Sequence, residues 1–177
     1  MGLFDAFKKK AAPAEPAKPA AVEAAEAEYT LCAPVSGRVI KMTDVPDQVF
    51  GSEMMGKGCA VYPDGDVVYS PVSGTVSVVM PHAVGLVSAD GVEVLCHVGV
   101  DTVEMNGDGF ENYMKQGDTV KAGQPVIKID REKIAAAGHP DCVVLIVSNT
   151  ADYASVDMLV EPEATVTAGA AVVKASK

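Results

Sequence analysis

Short runs of valine and isoleucine follow one another from Tyr29 to the C-terminus, separated by glycine, proline and aspartate. Strand-sized apolar runs with turn residues at intervals of about ten residues are typical of all-β sandwiches and barrels. The same region contains two repeats: Ala33-Pro-Val-Ser-Gly37 recurs as Ser70-Pro-Val-Ser-Gly74, and residues 117–126 resemble residues 164–172. Internal repeats indicate duplicated structural units. We therefore predict an all-β domain assembled from duplicated β units.

Helical signals are few. Asp130 is placed to cap a helix over residues 131–137, and Gly138 supplies a left-handed residue after it. We expect a further helical turn at residues 154–159. The predicted fold is therefore a β-sandwich with one or two short helices.

The first 28 residues differ in composition from the rest. Residues 11–28 are rich in Ala, Pro and Glu and are predicted to form an extended, mobile linker. Residues 1–10 place Leu3, Phe4 and Phe7 at helical spacing ahead of three lysines. This pattern predicts an amphipathic segment that binds an anionic membrane weakly, since each basic residue contributes about 1 kcal/mol near such a surface. A disordered tail is the alternative. Residues 29–177 form the predicted domain.

Charge and cysteine content narrow the classes of partner. The chain has 14 basic and 24 acidic residues and a net charge of −10. Because a phosphate backbone is bound by clustered basic residues, we do not expect nucleic acid as a partner, and we expect basic protein surfaces instead. Its four cysteines are unevenly spaced and include no C-x-x-C, which argues against a zinc knuckle or a redox motif. No signal-peptide pattern is present at the N-terminus, so we expect a cytoplasmic protein.

Two of the three histidines, His82 and His97, lie on either side of a turn predicted at residues 89–91. A strand, a turn and a returning strand would bring their imidazoles together. Alternation along the second strand places His97 on one face and Cys96 on the opposite face, where a small buried side chain is expected. The carbonyl of Gly99 is placed to orient the ring nitrogen of His97 that does not react.

Three interpretations of this pair follow from the residues. The histidines are hydrogen-bonded structural residues, or they form a metal site, or one is a phosphoryl acceptor that the other assists. His97 and Asp101 have the His-x-x-x-Asp spacing of some zinc peptidases, but a catalytic zinc needs a third strong ligand and none is evident. Residues 117–126 also resemble the hammerhead strand of biotin and lipoyl carriers, without the hairpin that bears their modified lysine.

Several segments match a known family in order along the chain. The sequence resembles the glucose-type enzyme IIA components of the bacterial phosphoenolpyruvate-dependent sugar phosphotransferase system. Its N-terminal Met1-Gly-Leu-Phe-Asp5 is similar to the free-standing form of these proteins. The other matching segments are residues 44–50, 70–75, 81–83, 91–93, 97–104, 107–110 and 147–149.

The resemblance implies a β-sandwich or barrel-sandwich hybrid of the duplicated hybrid motif type that acts as a phosphotransferase component. It implies that His97 is phosphorylated on Nε2 and that His82 supports onward transfer, with Gly99 and Asp101 in supporting positions. The implied donor is the histidine-containing phosphocarrier protein, the implied acceptor is a cysteine of a sugar permease IIB domain, and no cofactor is required. The docking rim around the two histidines is expected to consist of Phe50, Val78, Leu95 and Val103.

The resemblance also bears on the charged residues near His97, and the sequence departs from the family pattern at one position. Asp101 and Glu104 are expected to meet a basic rim on the donor. Met80 stands where the family often has a threonine, so the sugar served and the regulatory partners stay open. A mainly regulatory binding module is one alternative. A zinc-binding protein is another, with His82 and His97 joined by a partner's carboxylate. We expect the protein in the cytoplasm, peripheral at the inner face of the membrane through residues 1–10.

Overall fold

A computed structural model describes residues 18–177, so the predicted amphipathic segment at residues 1–10 and the start of the linker lie outside the described part of the chain. Residues 18–177 form fourteen β-strands and two short α-helices, which confirms the all-β prediction. None of the helices in this range is long and apolar enough to cross a membrane. The strands are β1 (Thr30–Cys32), β2 (Gly37–Lys41), β3 (Lys57–Pro63), β4 (Val67–Tyr69), β5 (Gly74–Met80), β6 (Ala83–Ser88), β7 (Glu93–Val98), β8 (Phe110–Asn112), β9 (Thr119–Val120), β10 (Pro125–Ile129), β11 (Val143–Val147), β12 (Ser155–Met158), β13 (Thr165–Val166) and β14 (Ala171–Ser176); the helices are α1 (Gln48–Gly51) and α2 (Arg131–Ala136).

The strands form one large sheet and two small ones. The large sheet has the order β13-β2-β3-β11-β7-β6-β5-β9, and the small sheets have the orders β1-β14-β12 and β4-β10-β8. Within each of the three sheets, every pair of neighbouring strands is antiparallel. The main core contains apolar side chains from all three sheets, including Leu31, Ile127 and Leu145.

The large sheet is buried on both faces at its centre. All five residues of β11 are buried, which explains why this strand is a continuous apolar run with no polar alternation. Leu145 belongs to the main core, whereas Val144 and Ile146 belong to a second apolar cluster on the other face. That cluster also receives Phe50 from α1, a helix whose N-terminus is capped because Asp47 accepts a hydrogen bond from the Phe50 amide at 2.8 Å.

The sequence repeat at Gly37 and Gly74 corresponds to a structural repeat. Gly37 begins β2 and pairs with Val166 of β13, while Gly74 begins β5 and pairs with Val120 of β9. A side chain at either glycine would collide with a neighbouring strand, since a Cβ would lie 1.9 Å from a backbone oxygen in both cases. The predicted duplication is therefore present in the pairing of the strands.

The helix predicted after Asp130 is confirmed. Asp130 accepts from the Lys133 amide at 3.1 Å, and Gly138 is left-handed with φ of +81°. The helical turn predicted at residues 154–159 is wrong, because this segment contains β12 paired with β14. Its Val156 is buried beside an exposed Asp157, which is the alternation of a strand.

Residues 22–26, which we call the strap, lie against the domain although they fall within the predicted mobile linker. The Val22 amide donates to the Gly123 carbonyl and the Ala25 amide to the Gly169 carbonyl, both at 2.9 Å. The Cys32 thiol donates to the Ala25 carbonyl at 3.6 Å. Gly123 and Gly169 occupy equivalent positions in the second sequence repeat, so the strap joins the two duplicated loops.

Candidate functional site

The two histidines lie side by side at the ends of three neighbouring strands of the large sheet, β5, β6 and β7. His82 occupies the two-residue turn between β5 and β6, and His97 lies on β7 directly opposite Ala83 of β6. The Val98 amide donates to the His82 carbonyl at 2.8 Å, which ties the turn to β7. The strand, turn and returning strand predicted from the sequence are confirmed, with His82 in a hairpin turn.

Aromatic rings enclose the pair. The rings of His82 and His97 meet edge to face, with 4.8 Å between centroids and an interplanar angle of 81°. Phe50 lies 4.9 Å from the His97 ring, and Phe110 lies 6.2 Å from the His82 ring. His82 is buried and His97 is half-buried, so part of the His97 ring is open to solvent.

The Gly99 carbonyl fixes the orientation of the His97 ring. Nδ1 of His97 lies 2.9 Å from this oxygen, and because a carbonyl only accepts, Nδ1 carries the proton and donates. The lone pair of the neutral ring is therefore on Nε2. Gly99 has φ of +74°, and a Cβ there would lie 2.7 Å from the Pro140 carbonyl oxygen, so the turn that presents this carbonyl requires glycine.

Both imidazoles are held in the neutral form. Burial, and after it the neighbouring His82, lower the pKa of His97 to about 4 against the opposing effects of the Gly99 hydrogen bond, Asp47 and Asp101. Burial also lowers the pKa of His82. At neutral pH, His97 is therefore an unprotonated base with Nε2 available for attack on an electrophile.

The loop after β7 is held by hydrogen bonds within itself and to the carbonyls of Pro140 and Cys142. The buried Thr102 hydroxyl donates to the Val98 carbonyl, and Asp101 adopts a left-handed conformation with φ of +59°. Glu104, which we expected to face a partner, is exposed and lies 3.8 Å from Nε2 of His139. His139 thus contacts this loop through Glu104.

The four residues expected to form the docking rim differ in exposure. Val78 and Val103 are exposed by 46% and 61%, Leu95 is half-buried, and Phe50 is buried against His97. The segment around α1 also exposes apolar residues that were not expected from the sequence: Val49, Met54 and Met55. These side chains extend the exposed apolar surface beside Phe50.

Three residues that act on the two histidines or on the backbone beside them were not identified from the sequence. Asp47 could have been found from its position as a helix cap, three residues before Phe50. Phe110 lies in a segment that matches the family, but nothing in the sequence indicates contact with His82. Asn112 donates to the Met80 carbonyl at 2.8 Å, a contact between strands of two different sheets that no local pattern signals.

The remaining groups with nucleophilic or metal-binding chemistry do not form a second site in residues 18–177. All four cysteines are buried, and burial raises the pKa of Cys96 to about 12, so Cys96 is a core thiol as predicted. No group of three His, Cys, Asp or Glu side chains in this range is arranged to hold a metal ion. His82 and His97 supply two imidazoles, which do not complete a tetrahedral zinc site without ligands from another molecule.

Comparison with known proteins matches residues 29–153 to the family described as phosphoenolpyruvate-dependent sugar phosphotransferase system, EIIA 1. The glucose-specific EIIA component of Staphylococcus aureus is 37% identical over 133 residues, which cover 74% of this chain and 80% of that protein. The glucose-specific EIICBA component of Staphylococcus saprophyticus is 41% identical over 127 residues, covering 71% of this chain. The match covers only 19% of that longer relative.

A solved structure supports the same relationship. The glucose permease IIA from Mycoplasma capricolum superposes with a TM-score of 0.71 and 29% sequence identity, covering 81% of this chain and 93% of that one. Residues 29–153, which match the family, include the β5–β6 hairpin, β7 and the loop that follows β7. The chain therefore belongs to the EIIA 1 family of the phosphoenolpyruvate-dependent sugar phosphotransferase system.

Proposed function

We propose that this protein relays phosphoryl groups during sugar uptake, with His97 as the phosphorylated residue. The observation that carries the proposal is the hydrogen bond from Nδ1 of His97 to the Gly99 carbonyl. It leaves the lone pair on Nε2, and the lowered pKa of His97 keeps that atom unprotonated at neutral pH. A neutral imidazole with one committed nitrogen and one free nitrogen is suited to attack phosphorus.

The donor in this proposal is the histidine-containing phosphocarrier protein. Nε2 of His97 attacks the phosphorus, the new N–P bond forms, the donor's N–P bond breaks, and its electron pair returns to the donor imidazole. In the second step a cysteine thiolate of a sugar permease IIB domain attacks the same phosphorus, and His97 leaves as neutral imidazole. The fusion of EIIA with EIIC and EIIB domains named in the Staphylococcus saprophyticus relative supports a IIB domain as acceptor.

His82 is proposed to hold the phosphoryl oxygens by donating from an imidazole N–H. Its ring lies 4.8 Å from that of His97, and it is buried among apolar and aromatic groups. A hydrogen bond to a charged phosphoryl group contributes about 1.5–3 kcal/mol, and exclusion of water strengthens it. Since the phosphoryl oxygens meet His82 once the group has reached His97, this contact is proposed to assist chiefly the onward transfer to the IIB domain.

Partners are proposed to dock on the exposed apolar surface beside the histidines. Val78, Val103 and Met54 are exposed there or on the neighbouring α1 segment. The carboxylates of Asp47 and Asp101 act on the charge of His97 and would face a partner, which favours donors with basic groups around the transferring atom. Zinc binding would need a partner's ligands in addition to the two histidines, and the relay has no step that uses it.

The relay can be tested with phosphoenolpyruvate, enzyme I and the phosphocarrier protein. Wild type should acquire acid-labile phosphate, His97→Ala should acquire none, and His139→Ala should behave as wild type because His139 lies outside the pair. Absence of phosphate on wild type would disprove the relay and leave a regulatory binding module as the alternative. Equal labelling of His97→Ala would disprove the assignment of the residue.

We propose that the protein acts in the cytoplasm and that residues 1–10 attach it weakly to an anionic membrane surface. Their three lysines and three large apolar residues support the proposal. Co-sedimentation with phosphatidylserine-containing vesicles should be lost when residues 1–10 are deleted, and unchanged co-sedimentation would disprove it.

A further inference from the structure

Asn112 connects the strand that carries it to the hairpin that carries His82. It lies on β8, in the β4-β10-β8 sheet, whereas the hairpin belongs to the large sheet. Its side-chain nitrogen donates to the Met80 carbonyl at 2.8 Å and lies 3.5 Å from the Ala83 carbonyl. These two residues pair with each other and flank the turn that contains His82. One amide thus contacts both ends of that turn.

The orientation of the Asn112 amide is fixed. The Met114 amide donates to Oδ1 of Asn112 at 2.9 Å. Because an N–H group must meet an acceptor and a carbonyl must meet a donor, only one assignment of oxygen and nitrogen satisfies all three contacts. Nδ2 is therefore held toward the hairpin by a backbone amide that lies two residues further along the chain, just beyond β8.

The same strand also contacts the His82 ring. Phe110 precedes Asn112 by two residues, so both side chains project from the same face of β8. The Phe110 ring lies 6.2 Å from the His82 ring. Ala83, which Asn112 approaches, pairs directly with His97 on β7. β8 therefore acts on the backbone around His82 and on its ring, at the position opposite His97.

We propose that Asn112 is a positioning residue for His82: its amide holds the turn and thereby sets the distance and angle between the two imidazoles. This inference rests on the proposed role of His82 in phosphoryl transfer. Asn112 itself does not touch the reacting atoms in this scheme. Since a misplacement of about 1 Å can cost on the order of a hundredfold in rate, loss of the amide should slow the step in which His82 assists.

Asn149 provides a matched control. Its Oδ1 accepts from the Glu93 amide and its Nδ2 donates to the Gly91 carbonyl, both at 3.0 Å. Like Asn112, Asn149 connects a backbone N–H to a backbone carbonyl. The residue on β7 that it contacts, Glu93, precedes His97 by four residues, about 13 Å along the strand. Asn149→Ala therefore removes the same kind of contact without touching the His82 turn.

The experiment compares Asn112→Ala with Asn149→Ala in the full chain. In Asn112→Ala, phosphoryl delivery to the IIB domain should fall about ten- to a hundredfold, while acceptance from the phosphocarrier protein changes less than about threefold. Cross-relaxation between His82 and His97 ring protons, measured by NMR on unphosphorylated protein, should weaken in the same variant. Asn149→Ala should match wild type in all three measurements.

Wild-type ring contacts and wild-type delivery in Asn112→Ala would overturn the proposal, as would equal losses in the Asn149→Ala control. Asn112→Leu, which retains side-chain volume without donors, replaces Asn112→Ala if that variant does not fold. If wild type carries no phosphate at all, the relay itself fails. The NMR comparison then still decides whether Asn112 positions His82, because it needs no phosphoryl donor.

Discussion

The imidazole of His82 meets that of His97 edge to face, with 4.8 Å between ring centroids, while Nδ1 of His97 is committed to the Gly99 carbonyl at 2.9 Å. The two histidines are therefore not equivalent. His97 is oriented by a backbone carbonyl and has a free Nε2. The orientation of His82 comes from its hairpin and from the packing around its ring.

Replacing His82 by alanine should separate the two steps of the relay. Acceptance from the phosphocarrier protein uses Nε2 of His97 and should fall less than about tenfold, whereas delivery to the IIB domain should fall by about a hundredfold or more as the phosphoryl oxygens lose a donor. Single-turnover transfer of labelled phosphate measures both steps. Equal losses in the two steps would remove the special role of His82.

The stability of the protein should depend on the protonation of His97. Its pKa is about 4 in the folded protein and near 6.5 in an unfolded chain, so between these values the unfolded chain binds a proton that the folded protein does not. The contribution of this group is therefore fully present above pH 6.5 and is lost as pH falls toward 4. The loss is at most about 3–4 kcal/mol, since each pKa unit corresponds to about 1.4 kcal/mol.

Urea unfolding at several pH values between 4 and 7 tests this dependence. His97→Gln, which is neutral throughout, should have a flatter curve than wild type, and identical curves would contradict the assignment. NMR titration of the rings offers an independent check. In His82→Ala the midpoint of His97 should move upward, because both the burial and the neighbouring imidazole that lower its pKa are reduced.

The exposed apolar surface should contribute to partner binding and not to folding. Val103 is exposed by 61% in the loop after His97, and Val103→Gln should weaken binding of the phosphocarrier protein about five- to tenfold. Leu159, exposed by 48% just beyond β12, provides a matched control, and Leu159→Gln should bind as wild type. Calorimetric titration measures both affinities. Unaltered binding by Val103→Gln would place the docking surface elsewhere.

The contact between the strap and Gly123 can be tested with a second glycine of similar backbone conformation. Gly123 and Gly117 have φ of +85° and +91°, but a Cβ at Gly123 would lie 2.1 Å from the Val22 carbonyl oxygen, whereas a Cβ at Gly117 would have open space. Both alanine variants bear the strain of a left-handed residue, about 1–2 kcal/mol. Only Gly123→Ala should also displace the strap.

Displacement should be visible at Cys32, whose thiol donates to the strap at Ala25 and whose pKa is raised to about 11, chiefly by burial. Reaction of this thiol with a maleimide should be faster in Gly123→Ala than in Gly117→Ala. Adding Cys32→Ser to Gly123→Ala should abolish the fast reaction. Equal rates in the two alanine variants would show that the strap does not protect Cys32.

Much of the fold follows from local patterns. The two repeats predicted duplicated units, and these appear as the equivalent pairs of β2 with β13 and β5 with β9. Alternation along β7 predicted the opposite facing of Cys96 and His97, and the position of Gly99 suggested its carbonyl as the partner of the ring. These features depend on neighbours in sequence or on a single hairpin.

The features that were not predicted depend on contacts between distant segments. Asn112 reaches Met80 across 32 positions and between two sheets, and no sequence pattern encodes that pairing. The strap is held mainly through its backbone, so its small side chains gave no sign of it. Residues 154–159 contain a strand and not the predicted helical turn because β12 pairs with β14, and the local sequence carries no signal of that pairing.

The strap has a mechanical consequence for any part of the molecule that lies ahead of it. A pull transmitted along the chain reaches the Gly123 and Gly169 loops through the hydrogen bonds of Val22 and Ala25 before it reaches β1. The Gly123 loop follows β9, which pairs with β5 at Gly74, and the histidine hairpin begins at the other end of β5, about 20 Å along the strand. Two backbone hydrogen bonds, one to each duplicated loop, therefore take up such a pull before it reaches a strand of the domain.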